Sequence, residues 1–230
     1  MGRTWVETVL AIGLGSVALM INFPVAAMTA AEYRTLGLQY RQQEQFAEAI
    51  AALEKAVELE PKNLDGRVLL GWTQHQAKQG EAAAETLWQV IFEDPYKVTA
   101  FNAVGIVHLV SGDLLPALLT HIWAATLKPD NEIAYYNLSL TCQRLELYDC
   151  SIATALQAGK LEPSNPHPLV ALALAHWSKG DRPAARQAYQ QALALDGRYG
   201  GVGFLAYLTE AGFSLDQVKT TEQILAMTLN

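Results

Sequence analysis

Residues 30–63, AAEYRTLGLQYRQQEQFAEAIAALEKAVELEPKN, decide how the rest of the chain is read. The proline of this stretch, Pro61, returns as Pro95, Pro129 and Pro163, each 34 residues after the last. With the proline as position 32, five units follow without gaps: 30–63, 64–97, 98–131, 132–165 and 166–197. Position 8 is small throughout (Gly37, Gly71, Gly105, Ser139, Ala173), and so is position 20 (Ala49, Ala83, Ala117, Ser151, Ala185). Small residues at fixed offsets in a period of this length predict two antiparallel helices per unit, whose backbones approach closely where side chains are short. The proline then ends the second helix, because it has no N–H to donate and its ring clashes with the preceding turn.

At these residues the chain resembles the tetratricopeptide-repeat family, over residues 30–197 of the 230. Unit 1 carries the pattern nearly whole, with Tyr33, Leu36, Gly37, Tyr40, Phe46, Ala49, Ala56 and Pro61. Unit 5 departs from it, with Gly197 in place of the proline and Leu169 in place of an aromatic. The resemblance implies an all-α, right-handed superhelical solenoid of five helix hairpins, closed by capping helices in 198–230. Ser214 and Gln217 have capping-box spacing there, and Leu215, Val218, Leu225 and Leu229 form the expected apolar stripe of a last helix. A lid on the last repeat is one reading of that helix; a tail folded back into the groove is the other.

Before the repeats, residues 8–31 contain no charged side chain, and residues 9–23 are almost wholly apolar. Together with the residues flanking it, this 1–29 segment reads as a single-pass membrane anchor, in a thylakoid or an inner or plasma membrane. The alternatives are a signal peptide cleaved after Val25-Ala26-Ala27, which would release the repeats into a periplasm or lumen, and a helix packed on the repeats. The layout is similar to that of small membrane-anchored assembly factors of cyanobacterial and chloroplast thylakoids, which implies a protein-binding scaffold for a membrane complex. A formal net charge of −7 and the lack of any basic run speak against nucleic acid as a partner.

In the family the first helix of each unit lines the concave side. Positions 5, 9 and 12 then place Arg34, Leu38, Arg41, Val68, Trp72, His75, Asn102, Ile106, Leu109, Tyr136, Leu140, Gln143 and Trp177 in a groove. Position 9 is always apolar, and Asn137 is the one amide where family members that clamp a carboxylate use several amides and cations, so that mode is rejected. The groove is expected to take an apolar or amphipathic protein segment, with Arg34, Arg41 and Arg144 tilting it neutral to basic; the alternative is that part of the apolar stripe is inter-repeat core or lies under the chain's own C-terminal helix.

On the opposite, convex side Trp88 and Phe92 in unit 2, and Leu119 and Trp123 in unit 3, recur at i, i+4; one reading is an exposed patch facing a membrane or a membrane-embedded partner, the other a local repacking that buries these side chains. Cys142 and Cys150, near-symmetric about the turn of unit 4, are a candidate disulfide for an oxidising compartment. His108 and His121 could meet across unit 3, read as a core pair rather than a metal site. No catalytic, metal or cofactor motif is found, and the chain is read as non-enzymatic.

Overall fold

A computed structural model describes residues 28–230. Twelve α-helices and no strand occur among the described residues. The first ten form five hairpins in sequence order: α1 (Ala30–Gln42) with α2 (Phe46–Leu59), α3 (Leu64–Gln76) with α4 (Gly80–Glu93), α5 (Val98–Ser111) with α6 (Leu114–Leu127), α7 (Glu132–Arg144) with α8 (Tyr148–Leu161), and α9 (His167–Lys179) with α10 (Arg182–Leu195). Each second helix also packs on the first helix of the next unit, and α3, α5, α7 and α9 touch in line.

The small positions explain the spacing of the hairpins. A Cβ on Gly71 would lie 2.7 Å from Leu87, and one on Gly105 only 2.4 Å from the His121 ring. Ala49, Ala83, Ala117, Ser151 and Ala185 are completely buried on the facing helices. In unit 4, where serines stand at both positions, the Ser151 hydroxyl donates to the Ser139 carbonyl at 2.7 Å, so burial of the polar pair leaves that hydroxyl satisfied. Thr29 starts the solenoid with a capping box: its hydroxyl accepts from the Glu32 N–H, and the Glu32 carboxylate accepts from the Thr29 N–H.

The turn between the helices of a hairpin has one requirement that the repeat pattern does not announce. Position 15 of every unit has positive φ: Glu44 (59°), Lys78 (64°), Gly112 (90°), Glu146 (61°) and Gly180 (91°). Glycine meets this at no steric cost, whereas the three longer residues hold a left-handed conformation that a Cβ disfavours.

Units are tied by pairs near the proline turns. Arg34 reaches Glu60 at 2.6 Å, Lys97 reaches Asp65 at 2.7 Å, Arg67 pairs with Glu93, and Asn102 and Asn131 exchange amide hydrogen bonds at 2.9 and 3.3 Å.

After α10 the chain turns through a 3-10 segment (Gly197–Gly200), α11 (Val202–Leu205) and a second 3-10 segment (Ala206–Thr209), then enters α12 (Leu215–Leu229). The expected capping box is present, with Ser214 and Gln217 bonded reciprocally at 2.8 and 3.2 Å. The buried side of α12 differs from the expected stripe. Gln217, Val218, Thr221, Ile224 and Leu225 face inward, while Leu215 and Leu229 are exposed, because the helix presents its i, i+3, i+4, i+7 face to α9 and α10.

The 1–29 segment read as an anchor or signal peptide lies outside the described residues except for Met28 and Thr29. Among the described residues no helix is long and apolar enough to cross a membrane.

Candidate functional site

The groove residues divide into two sets. Arg34, Leu38, Arg41, Val68, Trp72, His75, Asn102 and Ile106, from units 1 to 3, are half-buried and line an accessible surface. Leu109 and Leu140 are fully buried and Tyr136 nearly so, which corrects the expectation of an open groove along all five units.

The physical reason is the chain's own C-terminal segment. Phe213, Leu208, Val218 and Leu225 join one core with Leu109, Tyr136, Leu140, Val170 and Leu174. The Tyr136 hydroxyl donates to the Ala211 carbonyl at 2.6 Å, and its ring centroid lies 6.2 Å from that of Phe213. The Gln217 side-chain amide donates to the Leu140 carbonyl at 3.3 Å and to Gln143 Oε1 at 2.8 Å. The segment crosses at Gly212, whose φ of +87° turns the chain and whose missing Cβ would stand 3.7 Å from Leu140 and 3.9 Å from Leu109. Lid and groove filler, posed as alternatives by the sequence, are therefore one structure. Gln143 is taken up by Gln217 and by Ser178 at 3.0 Å, and the Trp177 ring carries the Arg182 guanidinium 3.3 Å above it.

Where the tail stops, a cavity of about 700 Å3 opens. Phe46, Trp72, Ile106, Val110 and Ile133 give it apolar walls, and Tyr207, Ala211 and Gly212 of the tail close one side. Asn137 stands in its lining with 2% of its surface exposed, and its Nδ2 has no hydrogen-bond partner. Leaving a buried amide donor unpaired costs about 1–3 kcal/mol.

Burial holds the His75 imidazole below its ordinary pKa, with the Lys78 ammonium adding to the effect, and burial does the same to His167. Both are neutral near pH 7 and present hydrogen-bonding rather than charged edges. Burial raises the Glu132 carboxyl, opposed by a hydrogen bond from Asn165. Glu44, Glu132 and Glu210 border the cavity with Lys78. Arg34 is held by Glu60, and Arg144 donates to the Leu109 carbonyl at 2.5 Å. The expected basic tilt of the groove is thereby corrected: two of its three arginines are engaged by the fold, and acidic residues outnumber lysine at the cavity.

Sequence reasoning passed over Phe46, Val110 and the tail residues of this cavity, and treated Asn137 as an isolated match. The signal for Asn137 was a lone amide on an otherwise apolar helix face; Tyr207 and Ala211 carried none.

On the convex side Phe92 is 79% exposed, Leu119 66% and Trp123 48%. Trp88 is only half-buried, not exposed, because its indole N–H reaches His108 Nε2 on α5 at 3.4 Å. His108 is thus turned to Trp88 and to Asp113, and does not pair with His121, whose ring nitrogens are buried with no partner. Cys142 and Cys150 are joined by a disulfide, with their Cα atoms 5.9 Å apart. Among the described residues no cluster of three or more His, Cys, Asp or Glu is placed to hold a metal ion.

Tetratricopeptide-repeat family models match residues 40–96 and 167–199. No curated protein matches the sequence. Among solved structures, a crystal structure of MamA superposes with a TM-score of 0.63 at 22% identity, covering 74% of this chain and 92% of that one. MamA from Desulfovibrio magneticus gives 0.65 at 20% identity over 73% and 94%. A thermophilic TPR protein of Thermus thermophilus gives 0.64 at 20% identity over 86% of this chain and all of that one. At such identities these likenesses establish the fold and nothing finer, and the repeat matches name it: the chain is a tetratricopeptide-repeat protein.

Proposed function

We propose that the protein is a non-enzymatic, membrane-tethered scaffold that holds a segment of a partner protein in the open half of its concave groove, in the service of assembling or maintaining a membrane complex. Tetratricopeptide-repeat proteins are in general non-catalytic protein-binding scaffolds, which supports the coarser part of this reading. The observation that carries it is the cavity itself: aromatic and aliphatic walls with a polar and charged border, and in the lining a buried, unpaired donor, Asn137 Nδ2. Apolar walls take a side chain, and a lone donor takes a backbone or side-chain oxygen, which together suit an apolar or amphipathic peptide segment. Tethering is supported by the uncharged residues 8–31, which run into the cap of the first repeat. A thylakoid membrane is one setting for such a scaffold.

The test is photo-crosslinking from membranes with a reactive group next to Trp72. The adduct formed by the unaltered chain is expected to disappear with Trp72→Ala and with Asn137→Ala, and to survive Gln190→Ala on the remote α10 surface. An adduct that survives both groove substitutions removes the groove from the account.

A second reading is an exported adaptor, cleaved after Val25-Ala26-Ala27, for a secretion, pilus or cell-wall apparatus. The Cys142–Cys150 disulfide favours repeats that face an oxidising lumen or periplasm. N-terminal sequencing of the mature protein separates the two: a soluble chain beginning near Met28 supports export and ends tethering.

A further inference from the structure

The helix α6 (Leu114–Leu127) has no Asp, Glu, Lys or Arg anywhere along it.

 Each of the corresponding helices α2, α4, α8 and α10 carries charged side chains, so α6 stands apart on the convex surface. Its outward residues are exposed and apolar: Leu115 (64%), Leu119 (66%), Ile122 (44%) and Trp123 (48%), with Phe92 (79%) and Tyr96 (75%) at the end of the preceding α4 and the turn after it. The Trp123 ring leans on Phe101 of α5, 6.4 Å between centroids, which fixes the ridge from beneath.

We propose that this ridge docks into the headgroup layer of a zwitterionic lipid bilayer, laying the solenoid's convex side on the membrane; the proposal rests on the tethering reading above. Three observations select lipid over a second copy of the chain. The side chains protrude from the convex surface into the open, with Leu119 66% and Phe92 79% exposed. A bilayer deforms around a ridge, and Trp is favoured at its surface. The formal net charge of −7 opposes both self-association and anionic lipid. The apolar stretch 9–23 and the Thr29 cap are separated by only five residues, 24–28. At about 3.3–3.6 Å per residue that link spans less than about 20 Å. Repeats tethered so closely lie against the surface by some face, and α6 is the one convex helix that presents no charge to it.

The test uses the full chain reconstituted with phosphatidylcholine vesicles, with Leu119→p-benzoylphenylalanine as the probe and Gln190→p-benzoylphenylalanine on α10 as the control. The chain is expected to float with the vesicles, and irradiation is expected to give lipid adducts from position 119 and at least tenfold fewer from position 190. Adding Trp123→Glu is expected to remove most of the adduct while flotation and helical circular dichroism stay unchanged. A chain that floats but yields no lipid adduct at position 119, or yields an adduct to protein instead, overturns the docking and leaves tethering standing. A chain that does not float overturns both.

Discussion

The two halves of the concave groove begin from similar residues and end in different states. Leu38, Trp72 and Ile106 stand at the same repeat position as Leu140 and Leu174, yet the first three are half-buried and the last two are fully buried. What differs is the tail, which seals the later units with Phe213 and Val218 and stops at the cavity edge. An apolar groove position is thus either a ligand contact or core, depending on chain far away in sequence.

The strongest way to break the comparison is to empty the filled half. Phe213→Ala removes a ring that is 4% exposed and is expected to cost about 3–5 kcal/mol in unfolding free energy, measured by urea denaturation. Trp72→Ala, in the open half, is expected to cost less than half as much while losing the partner. Equal costs would mean that the halves are not distinct.

The boundary between the halves falls in unit 3, where the buried His121 ring packs on Gly105. Burial pushes its pKa down to about 3, with a smaller contribution from His108, so the folded ring stays neutral. The unfolded chain takes up the proton below its ordinary value near 6.5, so stability falls as pH drops from about 6.5 towards about 3. Between pH 7 and pH 5 the expected loss from this group is about 2 kcal/mol. His121→Leu should flatten that dependence, as read from denaturation at the two pH values.

Gly105→Ala tests the same contact sterically, and a loss of about 1–3 kcal/mol is expected because its Cβ would collide with the ring. The smallest effect belongs to the turns. Glu146→Gly relieves a left-handed residue in the filled half and should stabilise by about 0.5–1 kcal/mol, visible as a rise in Tm. A fall instead would show that Glu146 contributes something its backbone geometry does not reveal.

Much of the solenoid was legible in the sequence because its contacts are local. Each hairpin is written within 34 residues, and the glycine and alanine positions identify where helices meet. The filled groove was legible only as one of two readings of the last helix, because it depends on pairs such as Tyr136 with Ala211 and Leu140 with Gln217, which are 75 and 77 residues apart and obey no period. Trp88 was misplaced for a related reason: its partner His108 sits in the next unit, and an outward repeat position says nothing about a neighbour able to bond the indole. The disulfide pair was legible, since near-symmetry about a turn brings two Cα atoms close.

The tail also works as a ruler. By occupying the later units it leaves three first helices, α3, α5 and the start of α7, as the floor of the open cavity. With neighbouring helices about 8–10 Å apart, that floor is about 16–20 Å long. An extended guest covers it with about five or six residues, and a helical one with about three turns. Guests longer than this must climb over Tyr207 or leave the groove, so the molecule's own terminus sets the size of the footprint that it can read.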